Sequence, residues 1–183
     1  DLNVSSISSP LIVHLAPQES HIFLVTDVGY YSTNLQVFNL IKEELLDNSR
    51  SMLTKVRNLM LTPDCKNVIA AANNQFTIMK LNFIYPNRRA FSLTSKVFAR
   101  FNVKGDVNSL LLSSDEKTLF ISTGNPNQPD LDSLFEIYNV SDPSSPELLS
   151  SYEMEKPSYT MDVSEAAKRV IVFCEDGYIG FDI

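Results

Sequence analysis

The chain's two histidines, His14 and His21, stand on either side of the polar stretch Leu15-Ala16-Pro17-Gln18-Glu19-Ser20. A hairpin closed over Pro17 and Gln18 would place the two imidazoles opposite each other on paired strands. Zinc takes three or four well-placed ligands, and beyond the two imidazoles only Asp27 can be named. Positions at the same spacing later in the chain read Met60 with Asn67, Leu111 with Thr118, and Asp162 with Arg169. The spacing therefore predicts a cross-strand packing position that carries one ion pair, and neither a bound transition metal nor any other cofactor is expected.

Other chemistry is thinner still. Cys65 and Cys174 stand far apart and form no C-x-x-C spacing, so they supply neither a metal knuckle nor a disulfide framework. There is no G-x-S-x-G, no H-E-x-x-H and no phosphate-cradling glycine loop among the five glycines. Acidic turns at Asp115-Glu116 and Glu175-Asp176 lack the dense Asp/Asn/Gly spacing of calcium loops. His14, Asp162 and Glu175 are the residues from which a metal-assisted hydrolase site at a channel mouth would have to be assembled.

The elements that would position such groups are strands. Four polar turns recur, at Leu15 to Ser20, Leu61-Thr62-Pro63-Asp64-Cys65-Lys66, Leu112-Ser113-Ser114-Asp115-Glu116-Lys117 and Val163-Ser164-Glu165-Ala166-Ala167-Lys168. From Pro17 to Pro63 to Ser114 to Glu165 the steps are 46, 51 and 51 residues, close to one four-stranded propeller blade. Before each turn the apolar residues alternate, as in Leu59 and Leu61 or Leu110 and Leu112, which marks a strand with one face on a core. After each turn the runs Ile22 to Val25, Val68 to Ala71, Leu119 to Ser122 and Val170 to Phe173 are nearly continuous, which predicts strands covered on both faces. Third strands follow at Leu35 to Leu40, Phe76 to Leu81, Phe135 to Val140 and Tyr178 to Ile183. Weaker outer strands are expected near Met52 to Val56, Val97 to Val103 and Glu147 to Tyr152. Leu40 to Asn48 alone looks locally helical and reads as a turn within a loop.

The fold class is therefore all-β, a β-propeller of four consecutive four-stranded blade repeats that forms part of a larger propeller. The boundaries are 1–8 for the outer strand of a preceding blade, 9–56, 57–104 and 105–156 for repeats 1 to 3, and 157–183 for an incomplete repeat 4. A start at Asp1, with no basic and apolar leader, reads as a processed or excised piece. An arc of this kind exposes the faces of its end blades, whereas a closed four-bladed ring would use the strand of residues 1–7 to complete the last blade.

In the second half, Ile137-Tyr138-Asn139-Val140-Ser141-Asp142-Pro143-Ser144-Ser145-Pro146-Glu147-Leu148 resembles the I-x-D-V-S-D-P-x-x-P-x-L segment of LVIVD-type propeller repeats. Asp176-Gly177-Tyr178-Ile179-Gly180-Phe181-Asp182-Ile183 resembles their D-G-L-x-I-x-D-I. Asn139 stands where the pattern has Asp, and Gly180 lies within the strand. The resemblance covers residues 104–183 and implies a β-propeller related to lactonase-like and WD-repeat propellers, with no catalytic residues to carry over.

Composition sorts the partners. The net charge of −7 hides a contrast. Residues 75–104 carry Lys80, Arg88, Arg89, Lys96, Arg100 and Lys104 and no acid, whereas residues 105–183 have a net charge of −11. Aromatics interleave the basic stretch at Phe83, Tyr85, Phe91, Phe98 and Phe101. The simpler reading makes these aromatics core and the cations a solvated edge, with no specific nucleic-acid affinity. The longest apolar runs are a handful of residues, so no segment inserts into a membrane as a helix. The sequons at Asn3 and Asn139 are as many as chance supplies, and the compartment stays open between extracellular and cytoplasmic.

Exposed loops on a rigid scaffold are where binding residues collect. Tyr30 and Tyr31 in the first repeat, Arg88 and Arg89 in the basic stretch, and Asn127 and Asp130 in the loop from Asn125 to Asp132 are the interaction candidates. The function that follows is a non-catalytic module presenting a binding or scaffolding surface to a protein partner within a larger protein, beside further blades of the same chain. A lactonase-like hydrolase is the alternative.

Overall fold

The computed structural model describes the backbone of residues 10–15, 21–27, 33–39, 44–49, 56, 58–62, 66–87, 90–124 and 133–183, and side chains at 56, 58–62, 66–80, 96–124 and 133–183. Fifteen strands occur among them, and no described helix is long and apolar enough to cross a membrane. The first sheet has the order β1 (Pro10–Leu15), β2 (His21–Asp27), β3 (Thr33–Asn39), β4 (Glu44–Ser49). The second runs β5 (Asn58–Leu61), β6 (Asn67–Ala72), β7 (Gln75–Asn87), β8 (Ala90–Asn102). The third runs β9 (Val107–Leu112), β10 (Thr118–Thr123), β11 (Ser133–Asn139), β12 (Glu147–Met154). The fourth has three strands, β13 (Ser158–Ser164), β14 (Arg169–Cys174) and β15 (Gly177–Asp182). In every sheet, strands adjacent in sequence are adjacent in space. By compactness the chain divides into two units, Asp1–Ala70 with Met79–Val97, and Ala71–Ile78 with Phe98–Ile183.

The pairing register departs from expectation by two residues. His14 lies opposite Phe23 rather than His21, Leu111 opposite Phe120 rather than Thr118, and Asp162 opposite Ile171 rather than Arg169. In the third repeat the cause is turn length. Around Ser114, the Ser113 amide donates to the Thr118 carbonyl at 2.8 Å and the Glu116 amide to the Ser113 carbonyl at 2.9 Å, and Glu116 takes a φ of 61°. A residue in the left-handed region extends the loop to four residues and moves its centre by one position, so every pair beyond it shifts by two. The expected partner of Arg169 changes accordingly: its Nε donates to Asp182 Oδ1 at 2.7 Å, across β14 and β15.

One outer strand falls elsewhere, and two strands are longer than expected. Residues 44–49, read as part of a turn, form β4, which takes the outer position expected at Met52 to Val56. Pairing with β3 overrides the weak local helical preference of Glu44-Leu45-Leu46. In the basic stretch the third and outer strands, β7 and β8, extend to 13 residues each.

Burial follows the strand's place in its sheet. Val68, Ile69, Ala70 and Ala71 in β6 are buried, as are Leu119, Phe120, Ile121, Ser122 and Thr123 in β10, which fits strands covered on both faces. In β14, Val170 and Val172 are fully buried while Phe173 is 40% exposed, so the strand is covered on one face, contrary to expectation. Within the second unit, the core joins the third and fourth sheets through Phe120, Phe135, Met154, Met161, Val170 and Val172. Phe135 is its centre, stacked on Phe181 at 4.3 Å, Tyr152 at 6.1 Å and Phe120 at 6.2 Å between ring centroids.

Candidate interaction site

The third and fourth sheets present their first turns side by side. In the third-repeat turn, Ser113 Oγ donates to Asp115 Oδ1 at 2.6 Å, and the same oxygen accepts the Lys117 amide at 3.1 Å. The Thr118 amide donates to Ser113 Oγ at 2.9 Å. The Ser113 hydroxyl first, and then the Lys117 amide, hold the Asp115 carboxyl below the usual carboxylate range. The fourth-repeat turn reaches across to it, with the Ser114 amide donating to Glu165 Oε1 at 3.0 Å. Between the turns opens a groove of about 620 Å³, with Asp115, Glu165, Lys168 and Asp182 at its polar rim and Leu149 and Tyr152 on its apolar wall.

The segment from Asn139 to Pro146 forms the far side of the same sheet end. Asn139 Oδ1 accepts the Ser141 amide at 3.0 Å, and Asp142 Oδ1 accepts both the Ser144 amide at 2.9 Å and the Ser144 hydroxyl at 2.6 Å. These side-chain-capped turns explain why Asn, Asp and Pro occur at this spacing, since each short polar group substitutes for a backbone partner. The Ser144 bonds hold the Asp142 carboxyl below its usual range.

Away from the surface lies a buried acid that the sequence reading did not single out. Glu136, in the middle of β11, is 4% exposed, and the Tyr138 hydroxyl donates to its Oε2 at 3.4 Å. Tyr138 packs edge-on against Phe76 at 5.2 Å, and Phe76 stacks on Phe101 at 5.3 Å. Burial raises the Glu136 carboxyl above the ordinary range, partly offset by the Tyr138 hydrogen bond and by Lys104. Burial and the neighbouring acid raise the Tyr138 phenol as well. A carboxyl raised on folding contributes stability that is complete below its unfolded titration and declines as pH rises through its folded one. Glu136→Gln keeps an acceptor for Tyr138 and removes the buried charge. It is expected to raise stability by about 1 kcal/mol at pH 8 and to match the parent chain near pH 4. Urea melts of both proteins at the two pH values check this.

The interaction candidates Tyr30, Tyr31, Arg88, Arg89, Asn127 and Asp130 lie outside the described residues. Of the crude hydrolase candidates, His14 is on β1, Asp162 lies exposed on β13 with its Oδ1 accepting the Val163 amide at 2.8 Å, and Glu175 is exposed in the turn between β14 and β15. Asp162 and Glu175 thus occupy different parts of the fourth sheet. Among the described residues, no three His, Cys, Asp or Glu side chains gather in a way that could hold a metal. The described cations of the basic stretch, Lys80, Lys96, Arg100 and Lys104, are exposed, while Phe76 is buried and Phe101 is half-buried on it.

Solved structures share this architecture. A functionally unknown protein from Desulfotomaculum acetoxidans superposes with a TM-score of 0.72 at 15% identity, over 93% of this chain and 50% of that one. The β-propeller domain of Myceliophteria thermophila Cps50 (Swd1) gives 0.69 at 13% identity, over 92% and 49%. The Dos1 propeller gives 0.64 at 10% identity, over 92% and 40%. No protein-family model matches the chain, and no curated protein does. The fold is that of a β-propeller, and the chain spans about half the length, or less, of the structures it matches.

Proposed function

We propose that this propeller segment is a non-catalytic module of the LVIVD repeat type that binds a protein partner within a larger protein. The observation that carries the reading is the set of large side chains left exposed on its rigid strands. Leu148, Leu149 and Tyr152 on β12, Tyr159 on β13, Phe173 on β14 and Tyr178 on β15 are each 40% exposed or more. Aromatic and aliphatic groups held on a scaffold are what protein interfaces use at their centres, because they gain contact area while losing little rotamer freedom. The turn geometry around Asn139 and Asp142 supports the repeat type, since both motif positions act as side-chain caps. Tyr30, Tyr31, Arg88, Arg89, Asn127 and Asp130 belong to the same reading as further contact points.

Affinity capture with the full chain tests it. A defined protein partner should bind the parent and lose at least tenfold in affinity to the double variant Leu149→Glu, Tyr178→Glu, with both chains giving the same circular dichroism spectrum. Contacts made by the exposed cations of residues 75–104 should weaken between about 0.1 M and about 1 M salt, where the screening length falls from about 10 to 3 Å. Lactone hydrolysis by the purified chain that is lost in Asp162→Asn or Glu175→Gln would instead establish the enzyme.

A further inference from the structure

Three serine hydroxyls face one layer between sheets. In the third sheet, Ser122 of β10 stands opposite Phe135, and Ser133 of β11 stands opposite Met154. Cross-strand partners and residues two apart share a face, so both serines lie on the face of Phe120, Phe135 and Met154 that packs against the fourth sheet. In the fourth sheet, Ser158 of β13 stands opposite Cys174, on the face of Val170 and Val172 that meets the same core. All three point into the layer between the two sheets, at the end where β10 stops and β11 and β13 begin.

Each of these hydroxyls is closed off from solvent, and none has a hydrogen-bond partner among the described residues. Ser122 and Ser158 are fully buried, and Ser133 is 4% exposed. A hydroxyl offers one donor and two acceptor sites, and leaving all of them unpaired in a dry interior opposes folding. Side-chain size changes at the same end. Elsewhere the layer is filled by Phe120, Phe135, Met154 and Met161, which set the spacing of the sheets, whereas the three serines fill less of that spacing. Pro157 closes one side: a carbon added to Gly124, two residues beyond Ser122, would stand 2.6 Å from Ser133 Oγ and 2.9 Å from Pro157 Cβ. Glu136, the buried acid of β11, alternates to the opposite face and supplies no charge here.

We propose that Ser122, Ser133 and Ser158 hold an internal water between the third and fourth sheets. Neutral hydroxyls with donor and acceptor sites both open match water, and an internal water makes about three bonds to buried groups that lack other partners. The water ties β10 and β11 to β13 by hydrogen bonds at the end of the layer where side chains are small, while the rings around Phe135 tie the sheets elsewhere. This site stands independently of the protein-binding reading above.

The test combines magnetic relaxation dispersion of solvent water on the full chain with thermal melts. The parent should show long-lived internal water, and the signal should be smaller in Ser133→Ala and in Ser158→Ala. Each single variant should also melt at least about 2 °C lower. The double variant should lose less than the sum, because one water serves both hydroxyls. A hydroxyl that is dry and unpaired predicts the opposite sign, since removing it relieves its cost. Single variants that melt at or above the parent, additive losses, or a water signal unchanged by either substitution overturn the proposal. A crystal structure of the parent decides the matter even if the variants fail to fold. A water within hydrogen-bond distance of at least two of the three hydroxyls upholds the site, and hydroxyls paired with protein groups or left dry overturn it.

Discussion

Phe135→Ala is expected to cost about 3–5 kcal/mol and to leave the second unit barely folded near room temperature. Phe135 is fully buried and its ring meets Phe120 from β10, Tyr152 from β12 and Phe181 from β15. It therefore joins three strands of two sheets. Removing the ring leaves a cavity that rigid strands cannot close, since each wall is pinned by its own ladder of backbone bonds. Chemical denaturation followed by tyrosine fluorescence checks the figure. Tyr178→Ala is the matched comparison, because Tyr178 is 73% exposed and should change stability by about 0.5 kcal/mol or less. A loss below about 1.5 kcal/mol for Phe135→Ala would mean that the two sheets do not share this core.

Gly124→Ala is expected to destabilise by about 2–3 kcal/mol through a different mechanism. Gly124 follows β10 with a φ of 136°, a conformation that side chains rarely adopt, and its amide donates to the Asp106 carbonyl at 2.9 Å. A Cβ there would stand 2.6 Å from Ser133 Oγ, 2.9 Å from Pro157 Cβ and 3.2 Å from Pro157 Cα. The serine hydroxyl can rotate, but the proline ring and backbone cannot, so the strand end must shift. Gly180→Ala provides the contrast, with open space around the added carbon. It should be neutral or slightly stabilising, because a glycine within a strand carries extra unfolded-state entropy. Thermal melts of the two variants beside the parent separate backbone strain from a general intolerance of alanine, and equal losses in both would contradict this account.

The alternation of apolar residues around four similar turns was enough to place four consecutive meanders and an all-β propeller, because period-two burial and short polar turns are local properties. The fully buried runs at Val68 and Leu119 announced strands covered on both faces for the same reason. The pairing register was not legible. Whether a polar turn closes over two residues or four depends on one backbone conformation, the left-handed Glu116 in the third repeat, and no composition rule distinguishes that from a tighter turn. The supposed facing of His14 and His21 assumed the tighter turn, and His14 pairs with Phe23 instead. Strand β4 was missed because Glu44-Leu45-Leu46 has no strand preference of its own and is held by β3.

Of the site, the order of residues alone marks which stretches are turns and strands and that the cations cluster in residues 75–104. What those elements do depends on how they pack. Only the packing of one sheet on another makes Glu136 a buried acid and Phe135 a hub. Only that packing leaves Phe135 buried and the Tyr152 ring beside it 43% exposed. Local pattern follows from the two-residue period of the strand, whereas burial, register and free edges depend on which distant strand arrives beside it, and that information is not contained in any short window of residues.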